Sequence, residues 1–351
     1  PNVLKASAYV EYNQGRAIAI FGGHYGTYDY TSTTSEYQRE LAAKPYLDNT
    51  FVNFRPTSSD VLKNPGKKNT VDFVYGGSQG YPGDFDSNRM QDRSYVLIDI
   101  PEDMDNYKTM QVFGAGAWGG LGMKGEKVES NAAEVNLDKK SAIVDLVRGQ
   151  IDAVYGGSYH TGFTRRTVVN VPTGSKIQVN NLFGGAYGEN LSSRCDVYEA
   201  NVNYKSADAM VKQAIYGGNN AYRRTLYGRV TIDKPVYTGE LDNNNEGKLA
   251  TVYGAGYGAN TWSQYTEVNL NNGARVKEVY GGGQLGRVMN PASVAKWKVQ
   301  ADAELQTEYN TKHTAWEALP AEEKALTPEP QLSTVTLEMG DTYTDLGLDD
   351  P

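Results

Sequence analysis

The hydrophobic positions of this chain include a short motif that occurs eight times. Each copy ends in an aromatic residue followed by glycine. Each copy has an aliphatic residue, an aromatic residue, a glycine, and then a second glycine or an alanine. The copies lie at residues 20–23, 74–77, 112–115, 154–157, 182–185, 215–218, 252–255 and 279–282. An aliphatic residue stands four positions before the aromatic residue in five copies, at Val71, Ile151, Val179, Leu249 and Val276. Short runs rich in β-branched and aromatic residues predict β-strands, here ending at glycine corners.

A second strand often precedes the motif across a short turn. In the clearest unit, residues 266–270 predict a strand, 271–273 a turn, and 274–280 the strand that ends in Tyr280. Residues 168–171, 172–175 and 176–183 repeat this order. Each unit is therefore predicted to be a strand, a tight turn, a strand and a glycine corner.

The spacing of the motif aromatics separates two all-β folds. The intervals are 54, 38, 42, 28, 33, 37 and 27 residues. A kelch-like β-propeller also has strands that end in paired glycines, but each blade needs about 50 residues. One coil of a β-helix fits the shortest intervals, and longer intervals are coils with loops extruded at one corner. The sequence therefore predicts an all-β fold, a right-handed parallel β-helix (a β-solenoid), with the kelch-like β-propeller as the alternative.

The chain divides into a repeat region and a helical excursion. We predict a β-solenoid over residues 1–289, in which residues 31–70 are a loop insertion with one short helix at 35–43. Asn290 and Pro291 predict the start of a helix over 291–319, within an excursion that spans 290–330. We expect this helix to pack on the solenoid or cap it; a projecting arm that docks on a partner is the alternative. Residues 331–351 are predicted to return to a solenoid strand, because 334–340 resemble the strand at 266–270.

If the coils stack, the motif aromatic residues of successive coils are predicted to lie next to one another. Equivalent side chains in stacked strands lie about 4.8 Å apart, so these rings are expected to form a continuous ladder. The aliphatic and aromatic residues are consecutive and would face opposite sides of a regular strand. Either the strand is sandwiched between the core and an outer loop, or a bulge turns both side chains inward. The paired glycines are expected to adopt positive φ and to allow close approach of adjacent coils.

Charge and cysteine content restrict the function. The chain has 34 Lys and Arg residues against 42 Asp and Glu, a net charge of −8, so nucleic acid is not an expected partner. No apolar run approaches the roughly 18 residues that cross a bilayer, so no transmembrane segment is expected. Cys195 is the only cysteine, which excludes a disulfide framework. Because the chain begins at Pro1 without a basic and apolar leader, we expect an export signal to have been removed.

One acidic segment is a candidate calcium site. Asp84, Asp86 and Asn88 place oxygen ligands at alternate positions, as at the start of a calcium loop. Arg89 and Tyr95 stand where such a loop needs glycine and glutamate. The alternative is a solvated acidic loop without a cation.

Two arginine pairs are candidate ligand-binding residues. Arg165, Arg166, Arg223 and Arg224 precede threonines and open strands. Guanidinium groups bind carboxylates through paired hydrogen bonds, so these arginines are candidates for binding an acidic polysaccharide. Charged strand ends that keep loops soluble are the alternative. His24 and His160 also follow glycine corners, but three intervals separate them, so a shared metal or general-base site is not expected.

The repeat as a whole resembles β-helix proteins that bacteria export to their surface, often described as adhesin-like. The resemblance covers residues 1–289 and rests on the aromatic-glycine corners and on strands of the Thr-x-Val-x-Leu form. It implies export and stacked coils, and it transfers no functional residue. The expected function is a non-catalytic cell-surface or extracellular binding protein. Its expected partners are glycans or surface proteins of a host or cell, with Ca²⁺ as the one candidate cofactor.

Two other functions stay open. One is a structural stalk or spacer that displays another domain. The other is a β-helix lyase or hydrolase acting on carbohydrate. Such enzymes need carboxylates clustered on one face, whereas Asp and Glu are scattered along this sequence, so an enzyme is the less favoured interpretation.

Overall fold

A computed structural model of the chain shows parallel strands that wind through successive coils. It describes residues 7–24, 47–57, 70–80, 90–102, 104, 106–121, 141–190, 193, 195–239, 247–288, 291–325 and 327–332. In this part of the chain sixteen strands belong to one sheet, and all of its strand pairs are parallel. The predicted all-β fold with parallel, solenoid-like strands is confirmed. Parallel pairing does not fit a propeller, which is an antiparallel architecture.

The strands form two columns, and the chain alternates between them. The first column contains β1 (Ser7–Tyr12), β3 (Leu47–Phe54), β5 (Met90–Asp99), the first half of β7 (Ser141–Tyr155), β8 (Thr164–Val171), β10 (Val197–Tyr204), β12 (Asn220–Ile232) and β14 (Tyr257–Leu270). The second column contains β2 (Arg16–Phe21), β4 (Thr70–Tyr75), β6 (Gln111–Phe113), the second half of β7, β9 (Lys176–Phe183), β11 (Met210–Tyr216), β13 (Thr251–Tyr253) and β15 (Glu278–Tyr280). The short strand β16 (Arg287–Val288) pairs with β14. Each coil therefore contributes one strand to each column and ends at a glycine corner.

The core lies between the two columns, and valine is its most frequent residue in the described part of the chain. Each first-column strand contributes a valine to it, and the strand register aligns these valines from coil to coil. They are Val10, Val52, Val96, Val144, Val169, Val202, Val230 and Val268. The six inner valines are fully buried, opposite aliphatic residues of the motif such as Leu182 and Ile215. Full burial of one such side chain contributes roughly 1.5–3 kcal/mol, so the aligned row stabilises the stack of coils.

The aromatic residues of all eight motifs form one continuous ladder on the outer face of the second column. Successive ring centroids are 4.7–5.1 Å apart, and adjacent ring planes differ by 5–15°. The rings form a cluster of their own, whereas the preceding aliphatic residues, such as Val154 beside Tyr155, belong to the core. The expected ladder is confirmed. The strand is sandwiched between the core and an outer layer, which decides between the two arrangements left open by the sequence.

The corner glycines permit close approach rather than unusual backbone angles. None of the described corner glycines has φ in the left-handed region; the glycines that do, such as Gly174 and Gly273, lie elsewhere in the chain. The expectation of positive φ at the corners is wrong, and the expectation of close approach is confirmed. A Cβ atom on Gly76 would overlap the carbonyl oxygen of Gly114 in the next coil.

At several corners, a hydroxyl side chain of the first column donates a hydrogen bond to the carbonyl oxygen of the first corner glycine. Thr50 Oγ1 donates a hydrogen bond to the carbonyl oxygen of Gly76 at 2.5 Å, and Ser94 Oγ donates to that of Gly114 at 2.6 Å. A small residue at this position and a glycine at the corner therefore fit together within one coil.

Part of the predicted loop insertion at 31–70 is a strand. β3 lies inside this segment and pairs with β1 and β5. Residues 50–54, Thr-Phe-Val-Asn-Phe, repeat the first-column pattern of a small residue, a core valine and a further core residue. The predicted short helix at 35–43 lies outside the described residues.

The C-terminal excursion is helical, as predicted for 290–330. It contains α1 (Pro291–Glu317) and α2 (Ala321–Lys324). Its packing on the solenoid stays a prediction, and the predicted strand within 331–351 lies outside the described residues, which end at Leu332. No helix in the described part of the chain is long and apolar enough to span a membrane.

Candidate functional site

The predicted calcium site at 84–88 stays a prediction. Asp84, Asp86 and Asn88 lie outside the described residues. Within the described ranges, no group of three or more His, Cys, Asp or Glu side chains is placed to hold a metal ion. His24 follows the first ladder residue and His160 the fourth, so their corners are three coils apart.

Arg223 and Arg224 face one carboxylate, that of Asp196. Arg223 Nε and Nη2 donate to its two oxygens at 3.1 and 2.9 Å, and Arg224 Nε lies 3.0 Å from Oδ2. All three residues are buried. Burial by itself would raise the pKa of Asp196, but the two guanidinium groups outweigh it and hold that pKa below its usual value. The arrangement ties one coil to the next.

Arg165 and Arg166 are also engaged by this chain. The guanidinium carbon of Arg165 lies 4.1 Å from the ring centre of Tyr198. Arg166 donates to Glu199 Oε2 at 3.0 and 2.8 Å from Nε and Nη2. All four candidate arginines therefore contact neighbouring coils, and their binding of an acidic polysaccharide stays a prediction.

A second row of aromatic residues covers part of the ladder. Tyr159, Tyr187 and Tyr257 each stand four positions after a ladder residue. Tyr159 meets the ring of Phe113 edge-on at 5.6 Å and stacks on Tyr187 at 5.5 Å. Tyr257 meets Tyr216 edge-on at 5.8 Å. These tyrosines bury the outer edges of the ladder rings.

An amide takes the place of the tyrosine in other coils. Asn220 is aligned by strand pairing between Tyr187 and Tyr257, one coil from each. Gln284 stands at the same motif position after Tyr280. Seven of the eight copies carry this signal as a longer motif, aromatic-Gly-(Gly/Ala)-x-(Tyr/Asn/Gln), which the four-residue motif did not include; the third copy has Ala117 at this position.

The second row is open at Asn220, because an amide side chain is shorter than a tyrosine. A groove of about 390 Å³ lies there, over the ladder, and we call it the amide groove. Its residues comprise four amides, four aromatic residues, one threonine and one alanine. They are Asn181, Gln213, Asn220, Gln284, Phe183, Tyr216, Tyr253, Tyr257, Thr251 and Ala214.

Hydrogen bonds fix the amides of this groove. Asn220 Nδ2 donates to the hydroxyl of Tyr155 at 3.1 Å. The Tyr216 hydroxyl donates to Gln284 Oε1 at 2.6 Å, which leaves the Gln284 Nε2 end to carry two N–H donors. Burial raises the pKa of Tyr216, so this hydroxyl stays protonated and keeps donating at physiological pH. The result is a set of oriented neutral donors and acceptors.

The described lining of the amide groove is uncharged. Among the described residues that form it there is no Asp, Glu, Lys, Arg or His. Glycoside hydrolysis uses a pair of carboxylates on either side of the bond that breaks. The described lining of this groove offers neutral hydrogen-bonding groups and no such carboxylate pair.

A second groove lies near the turn from the first column into the second, and we call it the corner groove. Its volume is about 440 Å³, and the residues around it include Gln150, Lys176, Gln178, Met210 and Tyr237. Lys176 Nζ forms an exposed ion pair with Glu102 Oε1 at 2.7 Å beside it. This groove is more strongly charged than the amide groove.

Comparison of the chain with family models, with curated proteins and with solved structures finds no match in any of the three.

Proposed function

We propose that this protein is a non-catalytic binding protein, adhesin-like and displayed outside the cell, that binds a neutral carbohydrate in the amide groove. The observation that carries the proposal is the lining of that groove: amides, aromatic residues, a threonine and an alanine, with no charged side chain among the described residues. We also propose that the solenoid is a right-handed parallel β-helix of the kind that bacteria export to their surface.

The chemistry of the lining matches that of a sugar. A sugar ring presents hydroxyl groups that both donate and accept hydrogen bonds, and a side-chain amide offers both functions in one plane. Tyr257 is 40% exposed and offers an aromatic surface at the edge of the groove. Ligand sites commonly combine such aromatic surface with a few oriented polar groups.

The scaffold beneath the groove is rigid. Phe183 and Tyr216 form its floor, and each is stacked in the ladder and at most 4% exposed. A site whose groups are held before the ligand arrives loses less conformational entropy on binding. This favours a recognition role for the surface.

An array of neutral and acidic glycans tests the proposal. We expect the protein to bind neutral glycans and to leave them chemically intact over prolonged incubation. Selective binding of acidic glycans would instead favour the arginine pairs, and cleavage of a bound glycan would favour a β-helix enzyme.

The second candidate function is a stalk or spacer. The continuous valine row and the aromatic ladder favour it, since both stabilise a regular stack without any ligand. Absence of binding to every glycan on the array would favour this function over the one proposed.

A further inference from the structure

The amide groove and the corner groove share two strands. β9 contributes Lys176 and Gln178 to the corner groove and Asn181 and Phe183 to the amide groove. β11 contributes Met210 to the corner groove and Gln213 and Tyr216 to the amide groove. The two grooves therefore follow one another along the outer face of the same pair of strands.

The distance between the grooves is short. Gln178 and Asn181 are three residues apart on β9, which corresponds to about 10 Å at about 3.3 Å per residue. From Lys176 to Phe183 the strand covers seven such steps, or about 23 Å. A track of this length is longer than a single sugar ring and accommodates several linked rings.

Polar side chains continue across the interval between the grooves. Asn180 Nδ2 donates to Asp152 Oδ1 at 2.7 Å, and Asn181 Nδ2 donates to Gln213 Oε1 at 2.8 Å. Asn180 and Asn181 are both half-buried and lie next to each other on β9. Hydrogen-bonding groups are thus present along the whole stretch from one groove to the other.

We infer that the ligand is an extended polysaccharide that lies along β9 and β11, across the solenoid axis, and occupies both grooves at once. The inference rests on the proposed carbohydrate binding in the amide groove and adds the length and direction of the ligand. The amide groove holds a neutral part of the chain. The corner groove adds contacts from Gln178, Tyr237 and the Lys176–Glu102 pair.

Occupation of two linked subsites makes affinity depend on chain length. When one molecule fills both subsites, the second contact forms at a high effective concentration, and the overall affinity exceeds that of either contact alone. A disaccharide covers only part of the track of about 23 Å from Lys176 to Phe183, whereas a hexasaccharide spans it.

The experiment uses an array on which each neutral sugar is present both as a disaccharide and as a hexasaccharide. The full chain is expected to bind the hexasaccharide of its preferred sugar at least about tenfold more tightly than the disaccharide. Gln178→Ala combined with Tyr237→Ala is expected to bring the hexasaccharide affinity down towards that of the disaccharide. Thr231→Ala, on the first column, is the control and is expected to keep the full length preference.

Each other outcome contradicts a specific claim. Equal affinity for the disaccharide and the hexasaccharide would overturn the two-groove inference and leave carbohydrate binding in the amide groove intact. A length preference that survives the double substitution would also overturn it. Absence of binding to either length of every sugar would overturn the proposed function and, with it, this inference.

Discussion

The α-carbon of Gly217 faces the carbonyl oxygen of Gly254 in the next coil so closely that a Cβ atom on Gly217 would overlap it. The contact is to backbone, which cannot rotate away as a flexible side chain can. At Gly281, the equivalent position in the last motif, an added Cβ would have no neighbour within 4 Å among the residues that the structure describes. The same motif position thus has no room for a Cβ atom at Gly217, inside the stack, and has room for one at Gly281.

This contrast predicts the effect of alanine at the two positions. Gly217→Ala is expected to lower the free energy of unfolding by about 2 kcal/mol or more, because neighbouring coils must move apart. Gly281→Ala is expected to change it by no more than about 0.5 kcal/mol. Thermal and denaturant unfolding monitored by circular dichroism would measure both. Equal destabilisation by the two variants would contradict this account of the corners.

The aromatic ladder predicts a similar contrast between its middle and its end. Phe183 is stacked between Tyr155 and Tyr216, at 5.0 and 4.7 Å, and is 2% exposed. Phe183→Ala is expected to cost about 3–5 kcal/mol of stability, the range for buried aromatic side chains. Tyr280 stacks on Tyr253 at the end of the ladder and is 45% exposed, so Tyr280→Ala is expected to cost much less. Similar losses in the two variants would argue against the ladder as a stabilising element.

Asp196 predicts a pH-dependent contribution to stability. Removing its charge leaves Arg223 and Arg224 buried without their carboxylate, so Asp196→Asn is expected to cost about 3 kcal/mol at neutral pH. Because the folded-state pKa of Asp196 is lowered, this contribution is complete above the ordinary value of 3.8 and is lost as the pH falls through the folded-state pKa.

The measurement is the difference in unfolding free energy between the wild type and Asp196→Asn as a function of pH. It is expected to be constant near neutral pH and to shrink below about pH 4. Glu267→Gln is the control, since Glu267 pairs with Arg229 at an exposed site and such pairs contribute at most about 1 kcal/mol. A difference that stays unchanged down to low pH would contradict the assigned role of the Asp196 carboxylate.

Ligand binding in the amide groove is expected to be independent of pH over a wide range. The described lining of the groove has no carboxylate, imidazole or amine, and burial raises the pKa of Tyr216 and of Tyr253. Affinity measured by titration calorimetry should therefore stay level between about pH 5 and pH 9. A change of affinity near pH 6 or below would point to a histidine or a carboxylate, and hence to a different surface.

The repeat made much of the fold predictable. Strand positions, the parallel stack and the ladder follow from residues that recur in every coil, such as the aromatic residue before each glycine. The strand β3 was missed because its coil is long and its pattern, at Thr50 to Phe54, was hidden among loop-like residues. The backbone angle of the corner glycines was mispredicted because the restriction comes from the next coil, and sequence spacing alone does not show that contact.

The candidate site was less predictable, since it arises from an exception to the repeat. The groove exists because Asn220 stands where Tyr187 and Tyr257 stand in adjacent coils. The four-residue motif stops short of this position, and the strand register shows that these three residues are neighbours. The arginine pairs were candidates in the sequence because of their charge, and the structure shows which carboxylates they contact: Arg223 and Arg224 pair with Asp196, and Arg166 pairs with Glu199.

The central claim is that the amide groove binds a neutral carbohydrate. Its most direct test is to fill the groove with tyrosine, the residue found at this position in the adjacent coils. Asn220→Tyr continues the tyrosine row across the opening, and Gln79→Tyr makes the same change at the equivalent position after Tyr75, away from the groove. The measurement is the affinity of both variants and the wild type for a neutral oligosaccharide selected on the array. The account predicts that Asn220→Tyr loses at least about tenfold in affinity, or 1.4 kcal/mol, while Gln79→Tyr binds like the wild type. Wild-type affinity in the Asn220→Tyr variant would contradict it.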